Sequence, residues 1–440
     1  MTKTIPVIAT IAIATILLGS IYGTSMMTVP SAEAHIVSDD DLQSFTLCAV
    51  ETGGQNVIPQ GNAIANVLHP AATTADGLVY EDSWTFAIPD SVTEDNDCIF
   101  STAPTVPGPA IELDRGQAYE ITLVNDKDNE HVHSIDMHAL VGDEHVNSGP
   151  IVPGESKTWT FAAENVGTFL YHCGANNLNN VWTHIANGMY GSFIVNEGNT
   201  PAASYSVQFA AMYIDITGNS FDFGAFMTED NTLEVTNGQA FNYAPFIGSD
   251  IDLDHTTLQL NPLDIRDVEG QLVLFSHEDG DLGGVPILAP VGQTTRWHIN
   301  NPGPNQFLAF HFIAGQMDIR DGGNNGKLGT VELNEETWTV PPGSASTFDV
   351  TFPSPGLYLG VTHKLSDVVK GGAFAVVACD VKNPANNASD PRGLAPLLCD
   401  GILGVDALGE GFVLSTLDSL ETLLAVNGIA NPRTVITQIP

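Results

Sequence analysis

His133-Ser134-Ile135-Asp136-Met137-His138, then Tyr171-His172-Cys173, then His184 and, five residues further on, Met189, hold the chemistry of this chain. A thiolate, two imidazoles and a weak axial thioether are the ligands of a blue-copper electron-transfer centre. Cys173, His133, His184 and Met189 supply that set, a type 1 copper. His138 and His172 are left for a second metal. In a β-strand, odd separations cross the sheet and even ones stay on one face. His133 and His138 are five apart, and His172 and Cys173 are adjacent, so each pair is expected to face both ways. One copper then sits inside the domain and another on its outer surface. Asp136, two residues from His138, shares the outer face.

These motifs resemble the copper-containing nitrite reductases, two-domain cupredoxin proteins within the multicopper oxidase superfamily. Val106-Pro107-Gly108-Pro109, Arg115-Gly116, the ligand motifs above, Phe310-His311-Phe312-Ile313-Ala314-Gly315 and Val361-Thr362-His363 carry the likeness, over roughly residues 80–380. The resemblance implies an all-β chain of two tandem cupredoxin-like Greek-key β-sandwich domains with a short C-terminal appendage. It implies a type 2 copper on His138, His172 and His363, the last from an adjacent subunit, and hence a homotrimer. Asp136 and His311 become the acid–base pair of a reaction that turns nitrite into nitric oxide. Three departures bear on the substrate. The Cys173–His184 loop is two residues longer than the family's, Ala314-Gly315-Gln316 replaces a Gly-Gly-His run, and an insertion spans residues 278–304. A copper oxidase of another small molecule, such as hydroxylamine, and an electron-transfer protein without catalysis are the alternatives. Oxygen reduction at a trinuclear cluster is disfavoured. It needs paired H-x-H motifs and an H-C-H, whereas Tyr171-His172-Cys173-Gly174 stands here and His133 of the one H-x-H is already used.

Short strands at Trp84–Ile88, Ala110–Leu113, Tyr119–Val124, Lys157–Phe161, Gly167–Tyr171 and Gly191–Val195, separated by turn residues, predict a β-sandwich. Residues 35–100 otherwise read as a polar lead-in. The pattern then repeats: Val152–Phe161 is echoed by Pro341–Phe352, Gly167–Tyr171 by Gly356–Gly360, and Gly191–Val195 by Gly372–Val376, so a second copy of the sandwich follows. Thr362 stands in place of Cys173, and the copy has no type 1 copper. The expected organisation is a signal peptide (1–34), a first cupredoxin domain (35–198), a second (199–380) and a tail (381–440). Leucines at helical spacing in Val413–Val426 predict a short helix in that tail.

Lys3, the apolar run Ile5–Tyr22 and Ala32-Glu33-Ala34 have the form of a secretory signal, the run being long enough for an uncleaved membrane anchor as the alternative. The chain is therefore expected outside the cytoplasm. Thirteen basic and 52 acidic residues leave a net charge of −39. Nucleic acid and anionic membrane are poor partners for such a field, which reads first as solubility in a salty exterior, with docking of a small basic electron-carrier protein as the alternative. Of five cysteines, Cys173 is a ligand, and Cys48, Cys98, Cys379 and Cys399 form two disulfides of open connectivity, as export permits. His131, His145, His255, His277 and His298 read as surface or turn residues.

Overall fold

The computed structural model describes residues 42–51 and most of 83–237 and 287–390, together with Asn66–Val67, Leu78–Val79, Ala395, Cys399 and Ile436–Gln438. The leader and the leucine-rich stretch Val413–Val426 lie outside the described residues. Among the described residues, no helix is long and apolar enough to cross a membrane.

Four sheets make two β-sandwiches. In the first, a four-stranded sheet runs in the order Ser156–Ala162, Ala118–Asn125, Gln43–Glu51, Trp84–Ala87. It faces a sheet in which Asp136–Val141, Gly167–His172, Tyr190–Asn196 and Ala110–Asp114 are neighbours. Alternate residues point inward, so Leu47, Ile121 and Leu123 from one sheet meet Ile111, Tyr171 and Phe193 from the other in one buried cluster. Burying each such side chain stabilises the sandwich by about 1.5–3 kcal/mol. The lead-in is thus misread. Gln43–Glu51 is an inner strand, parallel to Ala118–Asn125 and antiparallel to Trp84–Ala87.

The second sandwich repeats this plan. Ala203–Met212 lies parallel to Thr294–Gly303, as Gln43–Glu51 does to its neighbour. The opposing sheet is built from Ile287–Pro290, Ala373–Cys379, Gly356–Thr362, Leu308–Ile313 and Thr337–Val340. Aromatic rings fill its core: Trp297, Phe209, Phe310, Phe312, Phe348 and Phe374 are all buried. Between the two cores, Val106, Leu170, Ile185 and Tyr190 pack on Ala210, Met212, Leu233 and Val235. Alongside, His298 is bracketed by Thr168 Oγ1 at 2.6 Å and Ser204 Oγ at 2.9 Å. It is buried, not on the surface as the sequence pattern predicts. Burial, reinforced by Arg296, lowers its pKa to about 3.

Register corrects one equivalence drawn from the repeat. Tyr171 is paired with Gly191, and Gly360 with Phe374, not with Gly372. In each sandwich the ring lies over the glycine opposite it, and a Cβ on that glycine would overlap the ring. Large and small have changed strands between the copies. The disulfides are Cys48–Cys98 and Cys379–Cys399. At the chain's end, Ile436–Gln438 adds in parallel to Ala110–Glu112 at the edge of the first sandwich.

Candidate metal centres

The structure gathers the inner set. Cys173 Sγ lies 3.3 Å from His184 Nδ1 and 3.7 Å from His133 Nδ1, and the two ring nitrogens are 3.2 Å apart. His133, Cys173 and His184 are all buried. Each arrives on a different device. His133 sits before the strand Asp136–Val141, held by two backbone hydrogen bonds to Ile151. Cys173 follows directly on Gly167–His172, and His184 lies in the last turn of the helix Val181–Ala186. Met189 is fully buried, and its carbonyl accepts from the Cys173 amide at 3.1 Å. Gly188 makes the tight return to it at φ +114°, where a Cβ would stand 2.6 Å from the Trp84 carbonyl.

The electrostatics favour a thiolate. Burial raises the Cys173 pKa, but hydrogen bonds and charge from His133 and His184 outweigh it and bring the thiol well below its usual range. A buried thiolate with two imidazole Nδ1 atoms aimed at one point is a soft, preformed donor set that suits copper.

Glu51 and Trp84 are the residues the motifs did not announce. The Glu51 side chain is buried, and His133 Nε2–H donates to its Oε1 at 2.7 Å. The Glu130 and His131 amides and His131 Nδ1 also donate to it. Burial raises the Glu51 pKa, but its bonds to His133 and His131 bring the carboxyl down to about 2. Trp84 packs against His131, His184 and His133, at centroid distances of 4.7, 4.9 and 5.7 Å. His131 is exposed, as expected, but its ring is tethered to Glu51 and Trp84. An acid closing the apolar run Leu47–Val50 was the available signal for Glu51.

The outer set also comes together, at the far end of one peptide bond. His138 Nε2 and His172 Nε2 are 2.8 Å apart, and with Asp136 they place three donor atoms within 4.8 Å of one another. His172 Nδ1–H donates to the Cys173 carbonyl at 3.1 Å. That bond leaves the Nε2 lone pair pointing outward. Two ring nitrogens at such a distance repel unless a proton or a cation lies between them, so this set too fits a metal. The strand-parity picture explains His172 and Cys173 only in part, because Cys173 and His133 both lie just outside regular strands.

His311 and His363 form a separate pair on the second sandwich. Their ring centroids are 5.4 Å apart, His363 is exposed, and its amide donates to the Ala309 carbonyl. His311 Nδ1–H donates to the Glu336 carbonyl at 2.5 Å. Within one chain, neither joins Asp136, His138 and His172.

Residues 91–200 match the family model for multicopper oxidase. The chain is 28% identical over 323 residues to the copper-containing nitrite reductase of Alcaligenes xylosoxydans xylosoxydans, covering 70% of this chain and 89% of that one. It is 29% identical over 276 residues to the enzyme of that name from Rhizobium meliloti, covering 62% and 67%. The structure of the copper nitrite reductase from Nitrosomonas europaea superposes with a TM-score of 0.52 at 26% identity, over 77% of this chain and 94% of that one. The fold is that of a two-domain, cupredoxin-like β-sandwich copper protein. In sequence and structure the chain is similar to the copper-containing nitrite reductases, and over residues 91–200 to the multicopper oxidases.

Proposed function

We propose that the chain is a copper oxidoreductase that reduces nitrite to nitric oxide, using a type 1 copper on Cys173, His133, His184 and Met189 and a type 2 copper on His138 and His172. The observation that carries this is the His172–Cys173 peptide. It joins two convergent donor sets, one buried around a thiolate and one built of imidazoles beside a carboxylate. Copper held in these places supplies one-electron redox chemistry. A covalent route of one residue step then links the two sets, which a protein with unrelated metals has no reason to contain.

Among the described residues, the outer set lacks a third imidazole within the chain. His363, exposed on the second sandwich, is available to a second copy, and a homotrimer closes the arrangement so that each copy both gives and receives this ligand. Converting nitrite to nitric oxide and water consumes one electron and two protons. Asp136, beside His138 and His172, and His311, beside His363, are placed to hold and deliver those protons once the copies meet. Glu336 fixes the His311 tautomer, because its carbonyl takes the Nδ1 proton and leaves Nε2 to exchange. The electron comes from a small basic carrier protein drawn by the net charge of −39.

Copper-loaded protein is to be assayed with nitrite plus a reductant, and in parallel with hydroxylamine plus an electron acceptor. Nitric oxide formed in the first reaction is the expected result. Turnover only in the second would replace nitrite as the substrate, and turnover in neither would leave an electron carrier. Light scattering in the same preparation should give three copies per particle.

A further inference from the structure

We infer that Glu51 is a positioning residue for the inner centre: its carboxylate, accepting the His133 Nε2 proton, makes that imidazole a stronger donor and biases the site toward oxidised copper. The inference rests on the copper reading of the Cys173 site and goes beyond it to a residue outside the ligand set.

The polar composition of residues 35–100 hides the strand that carries this acid. Gln43–Glu51 runs into the sandwich with its last five residues buried, and the fifth is an acid. A carboxylate is retained in such a place only when its oxygens are satisfied. Here every partner is a donor from one short stretch: the Glu130 and His131 amides at 3.2 and 2.9 Å, His131 Nδ1 at 3.0 Å and His133 Nε2 at 2.7 Å. The Glu51 backbone is pinned as well, since its amide donates to Asn129 Oδ1 at 2.9 Å. Asn129 in turn donates to the carbonyl of Ala49. Strand and loop are tied at Ala49 and at Glu51 itself, which holds the carboxylate against the stretch Glu130–His133.

The shortest of these bonds reaches the ring whose other nitrogen faces Cys173 Sγ. A ligating histidine that donates its remaining N–H to a carboxylate is fixed in tautomer and ring angle, and its ligand nitrogen becomes more basic. A negative charge held out of water also lowers the energy of the more positive metal state. Both effects favour copper(II) over copper(I). His184 shows no matching carboxylate among the described residues, and its ring is covered by Trp84 instead. The two imidazoles are therefore unequal donors, and Glu51 is the cause.

The test is a redox titration of full-length, copper-loaded protein, followed through the visible absorption of the thiolate–copper bond. Glu51→Gln keeps the size and an acceptor oxygen but removes the charge. It is expected to bind copper in wild-type amount while its preference for copper(II) over copper(I) falls about tenfold, which raises the potential by about 59 mV for a one-electron couple. A copper-loaded Glu51→Gln protein with the wild-type potential would overturn the inference and leave the copper reading intact. Wild-type protein without the visible band would overturn both. A second measurement needs no variant: of the two inner-centre rings, proton NMR of the wild-type copper(II) protein should show the N–H of His133 persisting in heavy water. Rapid exchange of the His133 ring N–H would overturn the inference even if Glu51→Gln fails to fold.

Discussion

His172 and Cys173 are consecutive, yet their donor atoms belong to different surroundings: His172 Nε2 is 2.8 Å from half-buried His138, and Cys173 Sγ is 3.3 Å from His184 in the core of the first sandwich. The two sites should therefore be separable by substitution. Cys173→Ala is expected to abolish the intense visible band and to lower full copper loading from two to one per chain, as read by absorption and metal analysis.

The converse variant is His363→Ala. It removes an exposed side chain that bears no part in either core, so the visible band and the melting temperature should be kept. Nitrite turnover should fall by about a hundredfold or more, in line with the loss of a group that holds a catalytic metal. Retained turnover would refute the shared outer site.

Buried His298 makes stability depend on pH. Its folded pKa, about 3, lies below the unfolded value. The unfolded chain binds the extra proton, so this contribution is complete above the unfolded pKa and is lost as pH falls toward 3. The slope is up to about 1.4 kcal/mol per pH unit. Denaturant melts at pH 7.5 and 5 should show that His298→Asn is less stable than wild type at the higher pH but loses less on acidification.

Glu234 has the opposite sign. Burial, with Asp367 beside it, raises its pKa well above the usual carboxyl range, and Asn231 donates to it at 3.1 Å. The folded chain holds a proton that the unfolded chain releases above the ordinary carboxyl pKa. Its stabilisation is thus present at low pH and is lost as pH rises. Glu234→Gln, which keeps the hydrogen bond without the proton, should gain stability relative to wild type between pH 5 and 8.

The net charge of −39 predicts how electrons arrive. Reduction by a cationic donor should slow steeply as ionic strength rises from about 0.01 to 0.15 M, where the screening length falls from about 30 to 8 Å. An anionic donor should speed up over the same range. Stopped-flow traces at the visible band distinguish the two.

Much of the site was legible because its chemistry is local. His133, His138, His172, Cys173, His184 and Met189 occur in a short span, and their residue types have few other uses together. Gly167–Tyr171, the strand that leads into His172 and Cys173, alternates clearly and is legible, whereas the strand Asp136–Val141 that carries His138 and the short helix Val181–Ala186 that carries His184 are not among the expected elements. Glu51 was not legible, because its meaning depends on a partner 82 positions away in sequence, and no local pattern tells an acid ending a buried strand from one entering a turn. His298 was misplaced for a similar reason: Thr168 and Ser204, which make its burial tolerable, come from other strands. The repeat was visible as echoed segments, but matching glycine to glycine set Gly191 against Gly372. Only the hydrogen-bond ladder shows that Phe374 is the true counterpart.

The exchange of ring and glycine between Tyr171–Gly191 and Gly360–Phe374 has a historical consequence. Copying a single strand from one half onto the other would bring two rings together or leave two glycines facing a void. Either outcome destabilises the sandwich, by overpacking in the first case and by a cavity in the second. The pair thus keeps the two halves from being made alike one strand at a time.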